Sequence, residues 1–262
     1  MDICNQMLTY ENNFPKGDGF FKFVHSKDVF KESLTLDIYK SDNEFQSLET
    51  YETIPEFLEV LYKVSSCKFG CKGGPHVIEY ITGRGYNLGI ASMKLIKLGF
   101  YDESISLIRS ISEIVNLFAL FAIDINSAKE WYSSSERDRI KNFTPGKIRK
   151  RLSQSELSIP ISQKYYSKMC EVGVHVNPAT KPQGHNNLDR AIVGGVVFKE
   201  QAIAVLNDLS NTLGWLAMMA LRNSVDKEIF IKEMDRLKPN YDKIGSLSLE
   251  TIQDYLNRKY DS

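Results

Sequence analysis

The sequence predicts an all-α helical bundle preceded by a small N-terminal arm that contains strands. Three observations carry that reading. From Ile54 onward, apolar residues recur at helical spacing in one segment after another. Glycines and prolines fall between those segments, where helices stop and start. Before residue 50 the pattern is different, because Phe20-Phe21-Lys22-Phe23-Val24 and Leu34-Thr35-Leu36-Asp37-Ile38-Tyr39 are short, aromatic-rich and alternating, as strands are. The chain therefore divides into an acidic arm over residues 1–50, a candidate β-hairpin, and a helical domain over residues 51–262. Residues 1–66 hold 6 Lys and no Arg against 12 Asp and Glu.

Each helix has its own local cause. Pro55 suits the first turn of a helix through Phe57, Leu58, Val60 and Leu61 to about Ser65. The Gly70-Cys71-Lys72-Gly73-Gly74-Pro75 break follows. Residues His76 to about Leu98 then carry Val77, Ile81, Leu88, Ala91, Leu95 and Leu98 on helical spacing, with Gly99 as the stop. Asp102 or Ser104 is placed to cap a helix reaching about Trp131, whose apolar residues cover more than one face and mark it as the central one. Thr144-Pro145 reads as a cap followed by proline at the first helical position of a short basic helix, and Ser162 to Val174 is a further helix. Residues 176–195, with two prolines, three glycines and three asparagines, read as a long loop. Glu200 to Arg222 is a strongly periodic helix, and two shorter ones close the chain at about 225–236 and 248–259.

Composition narrows function by exclusion. The 262 residues are 42% hydrophobic and 25% charged, which is globular rather than disordered or fibrous. Lys plus Arg and Asp plus Glu both total 33, so no global charge draws the chain to nucleic acid or to a membrane. The apolar run Ile114 to Ile123 is shorter than the roughly 20 residues a bilayer requires, and no secretory leader is legible, so no membrane association is expected. Four cysteines in such a chain read as reduced thiols of a cytoplasmic protein. No phosphate-binding P-loop, Gly-x-Ser-x-Gly elbow, kinase signature or dinucleotide fingerprint occurs.

Polar residues on the greasiest helix stand out. Arg109, Glu113 and Asn116 share one face at i, i+4 and i+7, and a charge there needs a partner. They form either a structural ion pair within the bundle or a pocket wall. A second stripe, Glu79, Gly83, Arg84 and Asn87 with His76 before it, lies on the preceding helix, either facing the first stripe or facing water. His175, between Val174 and Val176, is suited to proton transfer or to capping a helix end. Residues 137–151 carry Arg137, Arg139, Lys141, Lys147, Arg149, Lys150 and Arg151 against Asp138, a phosphate-contacting patch or a solvated face. Cys67, Cys71 and His76 come near zinc-ligand spacing, but only three ligands lie close in sequence, and a fourth would come from Cys4, His25 or Cys170. The same stretch serves equally as a loop between helices, so no metal or other cofactor is assigned.

The run Leu107-Ile108-Arg109-Ser110-Ile111-Ser112-Glu113, then a Trp, a Pro-initiated basic helix, and a Tyr-rich helix ending Val174-His175-Val176-Asn177-Pro178, resembles uncharacterised bacterial all-helical families. These are similar to the HEPN superfamily, the higher eukaryote and prokaryote nucleotide-binding domains. The likeness spans roughly residues 75–180. It implies a helical bundle, a homodimer, and a place in a bacterial conflict, toxin–antitoxin or phage-defence system, with an antitoxin-like protein as a partner. It also implies binding or cleavage of RNA, or binding of a nucleotide, and any enzyme would be a metal-independent ribonuclease. In that scheme Arg109 holds a phosphate, Glu113 orients it and His175 is the acid–base group. Arg84, Asn87, Asn116, Lys147, Arg149 and Arg151 are the candidate substrate-binding residues. The superfamily's nuclease signature puts an Arg shortly before a His on one helix. Here no Arg precedes His175 in that way, so Arg109 and His175 would act from different helices. The rival reading is a non-catalytic helical interaction or scaffold module.

Overall fold

The computed structural model describes residues 18–41, 49–71, 75–155, 157–175 and 193–245. Among these residues there are ten α-helices and no strand: α1 Asp18–Ser41, α2 Glu49–Ser65, α3 Val77–Lys97, α4 Tyr101–Ile123, α5 Ile125–Ser133, α6 Glu136–Asn142, α7 Pro145–Leu152, α8 Gln163–Gly173, α9 Lys199–Ser224 and α10 Lys227–Ile244. The all-helical body is as the periodicity predicts.

Helix α9 is the centre of the fold, packed on α2, α3 and α4. From Thr212 to Arg222 every residue is buried, so this helix shares the central position expected for α4. Helix α4 is likewise buried without a break from Ile114 to Phe121. Each Leu or Phe so enclosed contributes about 1.5–3 kcal/mol through the apolar surface it removes from water. Contact between α3 and α9 runs through glycine, since a Cβ at Gly85 would lie 2.4 Å from Leu216 Cδ2 and one at Gly89 3.1 Å from Leu213 Cδ2. Buried hydroxyls pair off between helices, Thr53 with Ser210 at 2.5 Å and Ser92 with Ser104 at 2.6 Å, so no desolvated donor is left there. Helices α7 and α8 lie on α4, while α10 covers α2 and α9. Helix α4 is long and apolar enough to cross a membrane, and 67% of its apolar window is buried inside the bundle.

Caps set the boundaries. Helix α3 ends at Leu98, and Gly99 follows at φ 75, a left-handed conformation that only glycine adopts without strain. The Ser162 hydroxyl accepts from Tyr165 N at 3.3 Å to start α8; α7 begins at Pro145 after Thr144 as the sequence suggests, but the Thr144 hydroxyl makes no capping bond. The helix expected to reach Trp131 is divided at Asp124, whose carboxylate accepts from Asn126 N at 3.0 Å and from the Ser127 hydroxyl, capping α5. Helix α2 begins before its proline, at Glu49, so Pro55 lies inside it at the cost of one backbone bond. Helix α10 runs on to Ile244 instead of stopping near 236, and contains Pro239.

The N-terminal arm departs most from expectation. Residues 18–41, where the strand-like clusters lie, form helix α1. A hairpin would need turn residues between the clusters, and the intervening His25 to Ser33 contains neither glycine, proline nor asparagine. The helix instead docks on the corner between α3 and α4. Lys31 sits 5.0 Å from the Phe100 ring centroid and donates to Gly194 O, and Thr35 donates to Lys97 O at 2.6 Å. The rest of the arm, most of the long loop (176–192) and the closing helix at 248–259 lie outside the described residues.

Candidate functional site

The i, i+4 spacing of Arg109 and Glu113 produces the pair it suggests, at 2.7 Å from Nη2 to Oε1. Helix α8 supplies the rest of the setting. Tyr166 and Cys170, themselves i, i+4, point at the same guanidinium: Arg109 Nη2 donates to the Tyr166 hydroxyl at 2.5 Å and Nε to Cys170 Sγ at 3.2 Å. Tyr166 in turn donates to Glu113 Oε1 at 2.6 Å, closing a three-membered ring of charge-assisted bonds. Burial and the Glu113 carboxylate together push the Tyr166 hydroxyl pKa up, so it remains a donor. The Arg109 side chain is 23% exposed and that of Glu113 33%, so this is a half-buried cluster that water still reaches.

A second guanidinium joins it. Arg149, buried on α7, lies over the Tyr166 ring at 4.2 Å, with Arg109 5.1 Å from the same centroid. Arg149 Nε donates to Gln163 Oε1 at 2.8 Å at the start of α8, and among the described residues it meets no carboxylate at ion-pair distance. Burial lowers its pKa despite Tyr166, Cys170 and Glu113, and Arg109 lowers it further. Two cations against one carboxylate leave the cluster with one net positive charge in a partly dry setting, where an anion would be held more strongly than in water.

The other predicted residues are distributed differently. Asn116 is buried and fully used: its amide donates to Ile161 O at 3.0 Å and accepts from Ile161 N at 3.1 Å, so it clamps the chain leading into α8. Arg151 is held by Asp124 at 3.2 Å and Glu130 at 3.6 Å, tying α7 to α5. Lys147 stands exposed on α7, as do Arg137 and Lys141 on α6 and Lys150 on α7. His175 is exposed just past the end of α8, where its backbone N–H donates to Cys170 O at 2.9 Å. Its imidazole is not among the groups that touch the Arg109 guanidinium.

No family model, curated protein or solved structure matches this chain.

The second polar stripe faces elsewhere. Arg84 and Asn87 are exposed and line an open groove of about 670 Å³ together with Glu79, Tyr80 and Gly83 of α3 and Tyr62 and Ser65 of α2. Neither Arg109 nor Glu113 borders that groove, so the two stripes do not enclose a common cavity. At its end, between α2 and α3, Cys67, Cys71 and His76 bring their ligand atoms within 4.8 Å of one another. Of the residues in the charged cluster, the sequence reading misses Tyr166, Cys170 and Gln163. For Tyr166 and Cys170 the signal was their i, i+4 step on a Tyr-rich helix, which is informative only once α8 is known to lie on α4.

Proposed function

We propose that this chain is a HEPN-like helical protein that binds the phosphates of RNA or of a nucleotide on the face built by α6, α7 and the start of α8. The observation that supports this most directly is the unbalanced charge of the Arg109–Glu113–Tyr166–Arg149 cluster. A buried guanidinium without a carboxylate of its own is costly unless an anion comes to it. Exposed Arg137 and Lys141 on α6 and Lys147 and Lys150 on α7 add cations on the neighbouring helices, and Tyr132 and Ile140 are exposed at 56% and 63%. Together they give the mix of cations and flat apolar surface that suits a flexible single strand. In this reading the protein is a homodimer of a bacterial conflict system, paired with an antitoxin-like protein, as the resemblance implies.

Binding, rather than cleavage, is the primary reading. The Arg109 guanidinium is already engaged by Glu113, Tyr166 and Cys170, which favours a lock between α4 and α8 over a free catalytic group. The test is fluorescence anisotropy with a labelled single-stranded RNA across a salt series. Arg149→Ala should weaken binding about tenfold, or ~1.4 kcal/mol. Removing Lys147 and Lys150 should lower the slope of log affinity against log salt by about 0.7 for each phosphate that is no longer neutralised. Equal affinity and slope in all three proteins would reject the assignment and leave a helical interaction module.

A further inference from the structure

We propose that Cys67, Cys71 and His76 form a zinc site at the junction of α2 and α3, with the Glu79 carboxylate as its fourth ligand. Three short pieces of chain converge there: the turn that ends α2 brings Cys67, the following loop Cys71, and the residue before α3 His76. Cys67 Sγ lies 3.8 Å from His76 Nδ1, and Cys71 Sγ 3.9 Å from Nε2. Zinc bonds of about 2.3 Å to sulfur and 2.0–2.1 Å to nitrogen, set tetrahedrally, put ligand atoms roughly 3.5–3.8 Å apart. Each of these two separations is within a few tenths of an ångström of such an edge, but they end on different nitrogens, so the imidazole must turn to present one nitrogen to both sulfurs; all three ligand atoms lie within 4.8 Å of one another.

Glu79, one turn into α3, is the nearest carboxylate on that side: its Oε1 is 3.9 Å from His76 Nδ1, outside the trio whose ligand atoms lie within 4.8 Å of one another, so its side chain would swing inward to bind. Of the fourth ligands considered from sequence, Cys4 lies outside the described residues, Cys170 on α8 accepts from Arg109 Nε, and neither Cys170 nor His25 is grouped with the trio. Backbone conformation points the same way. Cys67 at φ 55 and His76 at φ 49 are the two non-glycine residues in the left-handed region among the described residues. Left-handed geometry is unfavourable for side chains with a Cβ and persists where something else holds it in place, and both of these residues are ligands. Two thiolates and an imidazole form a soft donor set that selects zinc over magnesium or calcium.

The experiment is a cobalt titration of the full-length chain, reduced and stripped of metal by chelator. The expected result is a thiolate-to-cobalt charge-transfer band with tetrahedral d–d bands, saturating at one ion per chain and abolished by added zinc. Cys67→Ser and Cys71→Ser should each lose most of the charge-transfer intensity, His76→Ala should weaken affinity at least about tenfold, and Cys170→Ser should leave the cobalt bands as they are. Glu79→Gln should keep the thiolate band while weakening affinity about tenfold. The wild-type titration decides the matter even if a variant fails to fold, because absence of a charge-transfer band on the reduced chain overturns the site. A band that survives both cysteine substitutions overturns it too, and unchanged affinity in Glu79→Gln overturns the fourth ligand.

Discussion

Consider the Arg109→Ala variant. It removes one guanidinium and leaves Glu113 with the Tyr166 hydroxyl at 2.6 Å as its remaining protein partner in the cluster. A fully buried carboxylate stripped of its cation costs about 3–5 kcal/mol, whereas an exposed pair is worth about 0.2–1 kcal/mol. With side chains 23% and 33% exposed, the pair lies between these limits, so a loss of ~2 kcal/mol is expected. For a chain of this size that is a fall in melting temperature of roughly 4–8 °C, read by circular dichroism at neutral pH. Replacing both partners by apolar groups, Arg109→Met with Glu113→Leu, removes the orphaned charge along with the pair. That double variant should therefore recover at least half of the loss. The second substitution thus offsets the first, as only an internally compensated pair would allow. A melting temperature unchanged in Arg109→Ala, or a double variant less stable than the single, would refute the picture of a lock between α4 and α8.

Other expectations follow from individual contacts. Asn116→Ala leaves the Ile161 N–H and C=O without their partner, which should cost about 2–4 kcal/mol in urea denaturation. Gly99→Ala places a Cβ 2.4 Å from Val196 O at φ 75, a clash of backbone with backbone, and should destabilise by about 2–3 kcal/mol or more in the same assay. Asp124 is opposed by its own burial, but bonds from Ser127 and Asn126 and the charge of Arg151 hold its pKa below the ordinary 3.8. The unfolded chain therefore takes up the proton first as pH falls. The contribution of Asp124 is complete only above about pH 5 and fades as pH drops through 3.8 to the lower folded value, so Asp124→Asn should flatten that acid limb of a stability–pH curve. His175→Ala, at an exposed position, should leave the melting temperature within about 1–2 °C of wild type; a larger drop would reveal a structural role.

Much of the body was readable because its helices state their own periods and stops. Leu206, Leu209, Leu213 and Leu216 gave α9, and Thr144-Pro145 gave the start of α7. Local signals failed where a single side chain overrode the pattern. Asp124 cuts a continuous apolar run by capping its own backbone, and α1 is helical although its clusters resemble strands. The charged cluster was half visible. Arg109 and Glu113 are neighbours on one helix, so their spacing places them together, while Tyr166, Cys170 and Arg149 join them only through packing of α7 and α8 on α4. Sequence separation also hid the destination of Asn116, whose amide closes on Ile161, 45 residues away.

The first turns of α4 act as a double anchorage. Gly173 packs so closely on them that a Cβ there would lie 2.8 Å from Asp102 O, and Ser106 donates to its carbonyl. On the return, the Tyr101 hydroxyl donates to Phe198 O at 3.0 Å and accepts from Phe198 N at 2.9 Å. Gly173 and Phe198 are thus held on the same turns of α4, and Val196 and Val197, just before Phe198, are buried as well. A change at Tyr101 or Ser106 would therefore loosen the exit of α8 and the entry to α9 together, two helices joined through one small patch of a third.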